Sequence, residues 1–219
     1  MKNITIENME FHYGNKNQKV FNGLNLDFVL GEKYGLVGDN GTGKTTFLYI
    51  LAGMYLPTNG KIMYDGEKLE EKKIKKEVSL IPYNNSLYPY LDALDHIDLV
   101  AELWEIKENY TNYKRKVIDY LDQLNLDYKN KKVEAYSSGM QYKLYLALML
   151  ARDASLLVLD EPFTMLDKTS QILAMDMIKE KKDMMVVFSS HQTEITNYLA
   201  SKVINFNEIK GVESSNEEN

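Results

Sequence analysis

The sequence has no cysteine among its 219 residues. Disulfide scaffolds, zinc sites with thiolate ligands and cysteine nucleophiles are therefore excluded, so any chemistry must come from other side chains. Long apolar stretches are also missing, because the longest, residues 144–151, is far below the ~20 residues of a membrane-spanning helix. Residues 1–7 alternate polar and apolar side chains and lack the apolar core of a signal peptide. We therefore expect a cytoplasmic chain that depends on a separate protein for any role in a membrane.

An excess of positive charge is absent as well. The formal net charge is −6, which is opposite to the basic footprint of nucleic-acid-binding proteins. Because acidic surfaces repel phosphate backbones, we expect no nucleic-acid partner. The length suits one large α/β domain that carries a subdomain.

The most informative pattern is a glycine-rich loop at residues 38–45, which matches G-x-x-x-x-G-K-[ST] at every position and lies between an apolar run at 34–37 and a helical run at 47–54. In such a loop the backbone N–H groups point at phosphate oxygens, and the helix N-terminus adds partial positive charge. Lys44 would bridge the β- and γ-phosphates, and Thr45 would place its hydroxyl on Mg²⁺. The predicted nucleotide contacts are Gly38, Asp39, Asn40, Gly41, Thr42, Gly43, Lys44, Thr45 and Thr46. A glycine-rich turn capped by threonine is the structural alternative.

Alternating strand-like and helix-like segments predict an α/β fold with a mixed, mainly parallel sheet and an N-terminal antiparallel β flank. Strands are predicted at residues 3–13, 20–30, 33–37, 61–66, 78–81, 155–160 and 184–189, and helices at 44–54, 68–77, 140–152 and 169–181. Residues 91–126 have helical spacing, so we expect a helical subdomain at about 86–138, inserted into a single domain of residues 1–210. Residues 211–219 are polar, acidic and without periodicity, and we expect them to be disordered.

Three polar residues follow predicted strands of the parallel sheet. Asp160 and Glu161 come at the end of one strand and His191 follows another, so we expect them at one sheet edge beside the loop. Asp160 would hold Mg²⁺, Glu161 would orient the attacking water, and His191 would contact the γ-phosphate. Taken alone, a strand-terminal Asp-Glu is more often a cap or surface pair, and a single histidine is usually structural. His12 and His96 lack a comparable context and are interpreted as ordinary.

Several motifs in the same order resemble those of the nucleotide-binding subunits of ATP-binding cassette (ABC) transporters, and the resemblance covers nearly the whole chain. Residues 136–140, Tyr-Ser-Ser-Gly-Met, resemble the signature loop L-S-G-G-Q, and residues 156–161 resemble the Walker B strand. Residues 164–167 resemble the D-loop, and His191 the switch histidine. Tyr13 matches the aromatic residue that stacks on adenine; without the resemblance it would be a core residue at a strand end.

The resemblance implies the ABC ATPase fold, built on a P-loop NTPase core. It also implies hydrolysis of ATP to ADP and phosphate with Mg²⁺, with catalytic roles for Lys44, Glu161 and His191 and metal contacts from Thr45 and Asp160. The subunit would energise a separate integral membrane partner and would lie on the inner face of the cell membrane through that partner.

A second nucleotide-binding subunit is implied too, identical or different, facing the first head to tail. The signature loop of one subunit, Ser137, Ser138, Gly139 and Met140, would close on the ATP of the other, with Asp167 in the D-loop. A helix N-terminus favours an anion there, although serine is also an ordinary N-cap. We therefore expect a monomer to bind ATP and to hydrolyse it poorly.

Three positions depart from the family pattern. Tyr83 stands where the Q-loop glutamine is expected and lacks an amide carbonyl, so its contact with Mg²⁺ and water is open; Asn84 or Asn85 are the candidate substitutes. Ser138 replaces the first signature glycine, where a Cβ could hinder a close approach or a positive φ. Met165 stands where the D-loop usually has glycine or alanine.

Three functions compete. The first is a transporter ATPase, and the short chain with the run at residues 86–91 resembles the subunits of two-component exporters. In it, the helical subdomain and the segment around Tyr83–Tyr90 would receive a helix of the membrane partner, unless those aromatic residues are core. The second is a soluble ABC-fold ATPase, although no coiled-coil heptads separate the motifs. The third is a slow or non-hydrolysing regulatory module, which Tyr83 and Ser138 favour.

Overall fold

The computed structural model describes residues 1–14, 19–68, 70–84 and 86–209. Two sheets and seven α-helices make up this part of the chain. The strands are β1 (Asn3–His12), β2 (Lys19–Val29), β3 (Lys33–Val37), β4 (Asn59–Tyr64), β5 (Val78–Ile81), β6 (Leu156–Leu159), β7 (Met185–Ser189) and β8 (Lys202–Asn205). The helices are α1 (Lys44–Leu51), α2 (Glu71–Glu77), α3 (Ala93–Leu103), α4 (Tyr110–Gln123), α5 (Ser138–Leu150), α6 (Lys168–Lys179) and α7 (Thr193–Leu199). The expected tail at 211–219 and the candidate Asn85 lie outside the described residues.

The central sheet has the order β5-β6-β7-β3-β8, and each pairing within it is parallel. Every residue of β6 and of β7 is buried, as expected for strands that are covered on both faces. The residues that follow these two short apolar strands therefore lie together at the carboxyl edge of the sheet. The predicted α/β fold with a mainly parallel sheet is confirmed.

The antiparallel flank is a separate sheet of order β2-β1-β4. Its buried side packs on α1 through an aromatic cluster in which Phe47 contacts Phe21, Phe28 and Phe206, with ring centroids 5.4–6.1 Å apart. This cluster fixes the start of α1, and with it the glycine-rich loop, against β2. The flank thus positions one side of the candidate site.

Residues 86–138 contain α3, α4 and a 3-10 turn at Val133–Ala135, between β5 and the start of α5. Val117 and Leu121 of α4 are fully buried in one cluster with Leu144 and Leu148 of α5. This packing joins the helical insert to the main domain through α5. That the insert forms a distinct subdomain remains a prediction.

Several element ends differ from the sequence expectation by one to three residues, and two elements were not expected. Helix α1 ends at Leu51 rather than at residue 54, because Gly53 takes a left-handed φ of 71° that interrupts the helix. Helix α7 and strand β8 were not predicted, since one is short and the other is an exposed edge strand with a weak apolar pattern. Nevertheless, β8 completes the edge of the sheet next to β3.

Candidate active site

A cavity of about 600 Å³ lies at the carboxyl edge of the parallel sheet, above the start of α1. Its lining brings together predicted residues from five separate parts of the chain: Tyr13, Asn40, Gly41, Gly43, Lys44, Thr45, Thr46, Tyr83, Asp160, Glu161 and His191. Gly38, Asp39 and Thr42 belong to the loop but do not line the cavity. Ser137, Ser138, Gly139, Met140 and Asp167 also lie outside its lining.

Glycine is required at position 43 for two reasons. Gly43 is the N-cap of α1 with a φ of 90°, a left-handed conformation that side chains other than glycine adopt at a cost. A Cβ at this position would also lie 2.7 Å from Val20 Cγ1 and 3.0 Å from the Phe21 ring. Glycine therefore lets β2 pack directly against the start of α1, where no side chain caps the helix and the first backbone N–H groups have no partner within it, as an anion site needs.

The Lys44 ammonium lies within the loop. Its Nζ donates to the carbonyl oxygens of Gly38 and Asp39, both at 2.8 Å. Burial lowers the pKa of Lys44, and the negative charges of Glu161, Asp39 and Asp160 oppose that shift. The loop therefore holds a partly desolvated cation beside the cavity, where it suits a phosphate oxygen.

Asp160 and Thr45 supply hard oxygen atoms at the base of the cavity. The Thr45 hydroxyl donates to Asp160 Oδ1 at 3.0 Å, and the Ser189 hydroxyl donates to the same oxygen at 2.9 Å. In the described residues, no group of three or more His, Cys, Asp or Glu is placed to hold a metal ion. A single carboxylate and a hydroxyl nevertheless fit Mg²⁺, which takes its other ligands from phosphates and water.

Glu161 follows β6 in a left-handed conformation, with φ 47°. Its Oε1 is buried and has no hydrogen-bond partner among the described residues, and it lies 3.3 Å from His191 Nε2. The backbone N–H of His191 donates to the other carboxylate oxygen, Oε2, at 3.3 Å. A strained backbone and an unsatisfied buried acceptor both cost free energy, and such features concentrate at functional sites.

Tyr13 stands at the outer rim of the cavity with 51% of its surface exposed. Its hydroxyl hydrogen-bonds with the Thr46 hydroxyl at 2.7 Å, and its ring makes edge contacts with Phe11 and Tyr55 at 5.1 and 5.9 Å between centroids. The ring is thus held in place by α1 and by two aromatic neighbours. A held, exposed aromatic face suits the stacking of a planar base.

The residues of the signature motif lie away from this cavity, at the start of α5. The Ser137 hydroxyl caps α5 by accepting the Met140 N–H at 3.2 Å. Ser138 is helical and is not among the residues with positive φ, so its Cβ causes no backbone strain there. A Cβ at Gly139 would lie 2.9 Å from the Met165 carbonyl oxygen, so glycine permits α5 to approach the D-loop closely. Asp167 caps α6 by accepting the Ser170 N–H at 3.0 Å.

The segment after β5 places Tyr83 and Asn84 in the lining of the cavity. Tyr83, Tyr88 and Tyr90 are 46%, 62% and 72% exposed. The alternative that these three tyrosines are core residues is therefore wrong.

Three residues around the site were missed by the sequence reasoning. Ser189 accepts the Glu161 N–H at 2.8 Å while it donates to Asp160, so it links both acidic residues. Asn207 pairs with Asp39 through two hydrogen bonds of 3.0 and 3.2 Å. Tyr49 lines the cavity from α1. No motif marks these positions, although Ser189 does end a predicted strand at the same sheet edge.

Comparison with known proteins identifies the family. Residues 21–164 match the family described as ABC transporter. An uncharacterised ABC transporter ATP-binding protein of Nostoc is 34% identical over 182 residues, which cover 80% of this chain and 54% of the relative. The lantibiotic transport ATP-binding protein SrtF of Streptococcus pyogenes is 29% identical over 200 residues, 90% of this chain and 83% of the relative. The chain therefore belongs to the family of ABC transporter ATP-binding subunits.

Solved structures agree on the fold. One titled as the ATP-binding subunit of an ABC transporter superposes with a TM-score of 0.84 at 21% identity, over 97% of this chain and 90% of that one. The cassette MJ0796, a dimer in a post-hydrolysis state bound to ADP and Pi, superposes with a TM-score of 0.80 at 21% identity, over 96% and 98%. The ABC ATPase fold expected from the motifs is thus confirmed. The chain spans about half the length of the Nostoc relative.

Proposed function

We propose that this chain binds and hydrolyses ATP to drive a separate membrane-spanning partner. The observation that carries the proposal is the convergence of Lys44, Thr45, Asp160, Glu161 and His191 on one cavity beside an anion-binding loop. Each of these side chains has a polar atom suited to one part of a triphosphate or to the water that attacks it.

The proposed reaction transfers the γ-phosphoryl group to water, so the bond between the γ-phosphorus and the bridging oxygen breaks as the water oxygen bonds to that phosphorus. The loop amides and Lys44 hold the β- and γ-phosphates. Glu161 Oε1 accepts a hydrogen bond from the water and orients it, and His191 Nε2 contacts the γ-phosphate. Thr45 and Asp160 would hold Mg²⁺, which offsets the charge that develops on the phosphate oxygens.

Hydrolysis would need a second nucleotide-binding subunit. Ser137, Ser138, Gly139 and Met140 do not line the cavity of their own chain. Ser138 and Gly139 begin helix α5, where the first backbone N–H groups have no partner within the helix and could meet an anion from another subunit. The dimer of MJ0796 offers a precedent in the same fold. A single subunit would therefore bind ATP and turn it over slowly.

Export by a two-component transporter is the direction we propose. Support comes from the relative SrtF, whose name assigns it to lantibiotic transport. In the described residues no helix is both long and apolar enough to cross a bilayer, so the proposed pathway belongs to the partner. The subunit would act at the inner face of the cell membrane. The exposed tyrosines at 83, 88 and 90, next to the helical insert, are proposed to face that partner.

The direct test is ATP turnover by the assembled complex. Glu161→Gln keeps the size of the side chain but removes the carboxylate, so the steady-state rate is expected to fall by about 10²- to 10⁴-fold while ATP binding remains. Glu7→Gln, a change at an exposed position of β1, is the matched control and should leave the rate unchanged. A Glu161→Gln complex with the original rate would remove Glu161 from the mechanism.

A non-hydrolysing regulatory module is the second candidate, and Tyr83 is the observation that favours it. Tyrosine offers no amide carbonyl at the position that faces the cavity. Asn84, which also lines the cavity, has such a carbonyl one residue further on. Saturable ATP binding without turnover in the assembled complex would support this candidate over the first.

A further inference from the structure

The backbone that follows β6, residues 161–166 and here called the strained turn, leads from Glu161 into the D-loop. Glu161 and Phe163 have left-handed φ angles of 47° and 74°, although neither is glycine. Such conformations cost on the order of 1–3 kcal/mol each and persist only where the surrounding structure fixes them. Because the Glu161 side chain projects from this turn, the contacts that fix the turn also set the position of the carboxylate.

The side chain of Gln171 holds the strained turn from α6. Its Nε2 donates to the carbonyl oxygens of Phe163 and Leu166, at 3.0 and 3.1 Å. The Leu166 N–H donates to the same Phe163 carbonyl oxygen at 2.9 Å, so both ends of the segment 163–166 meet at this amide. Because both partners of the side chain are carbonyl oxygens, the atom that faces them must be the amide nitrogen, which has two N–H donors.

Gln171 is itself fixed at the start of α6. The Asp167 carboxylate caps this helix by accepting from the Ser170 N–H at 3.0 Å and from the Ser170 hydroxyl at 2.8 Å. The Gln171 N–H donates to the Asp167 carbonyl oxygen at 2.9 Å, within the first turn of the helix. Ala174 and Ile178, further along α6, are fully buried. The amide therefore contacts the strained turn from a helix that is anchored in the core.

The strained turn also contacts the helix that begins with the signature motif. Phe163 is fully buried, and its ring meets the ring of Tyr142 in α5 edge-on, with centroids 6.4 Å apart. A Cβ added at Gly139 would lie 2.9 Å from the Met165 carbonyl oxygen, so the D-loop lies directly against the start of α5. The segment that Gln171 holds thus connects Glu161 with the signature helix.

From these contacts we propose that Gln171 is a positioning residue for ATP hydrolysis, which holds the strained turn so that Glu161 Oε1 faces the attacking water. The inference rests on the proposed function and adds a residue that does not line the cavity of the candidate active site. Glu161 Oε1 has no hydrogen-bond partner among the described residues, and His191 Nε2 lies 3.3 Å away, so its direction depends on the backbone that carries it. ATP would be held by other parts of the chain, the glycine-rich loop and Tyr13. Loss of the Gln171 amide should therefore lower the rate and leave the affinity for ATP unchanged.

The test compares variants of Gln171 in steady-state turnover by the assembled complex. Gln171→Met keeps a similar size and removes both donors, and Gln171→Glu also places a carboxylate oxygen against two carbonyl oxygens. The kcat is expected to fall about 3- to 10-fold for Gln171→Met and about 10- to 100-fold for Gln171→Glu, because hydrogen bonds are lost and a reacting group is displaced. The KM for ATP should stay within about twofold in both variants. Gln123→Met and Gln123→Glu, at an exposed position at the end of α4, are the matched controls and should leave kcat unchanged.

A double variant separates positioning of Glu161 from general support of the fold. If Gln171 acts through Glu161, Gln171→Glu combined with Glu161→Gln should be no slower than Glu161→Gln alone, because the group to be positioned is already gone. General support of the fold predicts instead that the two losses multiply. Urea denaturation of each variant shows which of them fold, and Gln171→Met replaces Gln171→Glu in the double variant if the latter does not.

Losses that multiply in the double variant would overturn the proposal. So would an unchanged kcat in both Gln171 variants, or a fall in rate that a weaker affinity for ATP accounts for. The proposed function fails in a different way, since a Glu161→Gln complex with the original rate removes Glu161 from the mechanism. Gln171 variants with the original rate, beside a slow Glu161→Gln complex, overturn this inference alone.

Discussion

Two cavities of the described residues are built in opposite ways: the candidate active site, here called the nucleotide cavity after its proposed ligand, and a groove of about 500 Å³ where the main domain meets the helical insert. The nucleotide cavity is lined by the start of α1, by the loop before it and by residues at strand ends, and its acidic groups surround one buried lysine. The groove is lined by residues of α1, α2, α3, α5 and β5 and by residues that follow these elements, with cationic groups around an apolar floor. Tyr49 and Asn84 line both of them. Burial and the charge of Asp160 raise the pKa of Tyr49, so an acidic group of the nucleotide cavity acts on this shared residue. The comparison shows that one chain holds two cavities of different charge that share two lining residues.

Among changes at the nucleotide cavity, Gly43→Ala should have the largest effect on stability and on ATP binding. The left-handed φ and the 2.7 Å approach to Val20 Cγ1 together predict a loss of about 2–4 kcal/mol in the free energy of unfolding, together with loss of ATP binding. Urea denaturation and ATP titration measure both.

Gly66→Ala is the control, because Gly66 has a similar φ of 82° and nothing within 4 Å of an added Cβ. It should cost about 1 kcal/mol. Equal losses for the two variants would mean that contact with β2 does not shape the loop.

Replacing Tyr13 should sharpen the comparison, since its ring is a held, exposed aromatic face at the rim of the nucleotide cavity. Tyr13→Ala is expected to weaken ATP binding by about tenfold or more, given stacking energies of ~1–3 kcal/mol per base. Tyr13→Phe keeps the ring and loses the hydrogen bond to Thr46, so it should stay within about threefold. Equilibrium binding of a fluorescent ATP analogue gives both values, and an unchanged affinity of the Ala variant would rule out stacking.

Ser189→Ala should have the smallest effect of these changes and should act on the rate. It removes the hydrogen bonds that fix Asp160 and the Glu161 backbone, so turnover by the complex is expected to fall by about tenfold with little change in ATP affinity. Ser190→Ala, at the next buried serine, is the control. A Ser189→Ala variant that loses affinity instead of rate would assign Ser189 to binding.

The difference between short motifs and long-range contacts explains how much of the fold and of the candidate site the sequence could predict. The glycine-rich loop is contiguous, and Asp160, Glu161 and His191 each follow an apolar strand, so periodicity and strand ends suffice to place them at one edge. Ser189 and Asn207 are joined to Glu161 and Asp39 by hydrogen bonds across 28 and 168 residues, which no local pattern encodes.

The sequence predicts a docking place for a partner helix at the helical subdomain, but the cationic lining of the groove could not be predicted, for a similar reason. Its cations on α2 lie in a run of charged residues that reads as an ordinary solvated helix face. Only the turn after α3, which brings Glu105 and Trp104 beside them, turns that face into the wall of a cavity. Long-range packing therefore defines the groove, whereas short motifs define the nucleotide cavity.

Calorimetric titration of Mg·ATP into the folded chain tests the central claim most directly. The expected result is saturable heat for the unmodified protein and binding about 10- to 150-fold weaker for Lys44→Ala, as the loss of a charge-assisted hydrogen bond implies. Absence of heat at ATP concentrations well above about 1 mM, or equal binding by the two proteins, would contradict the claim that this loop and its lysine hold a triphosphate.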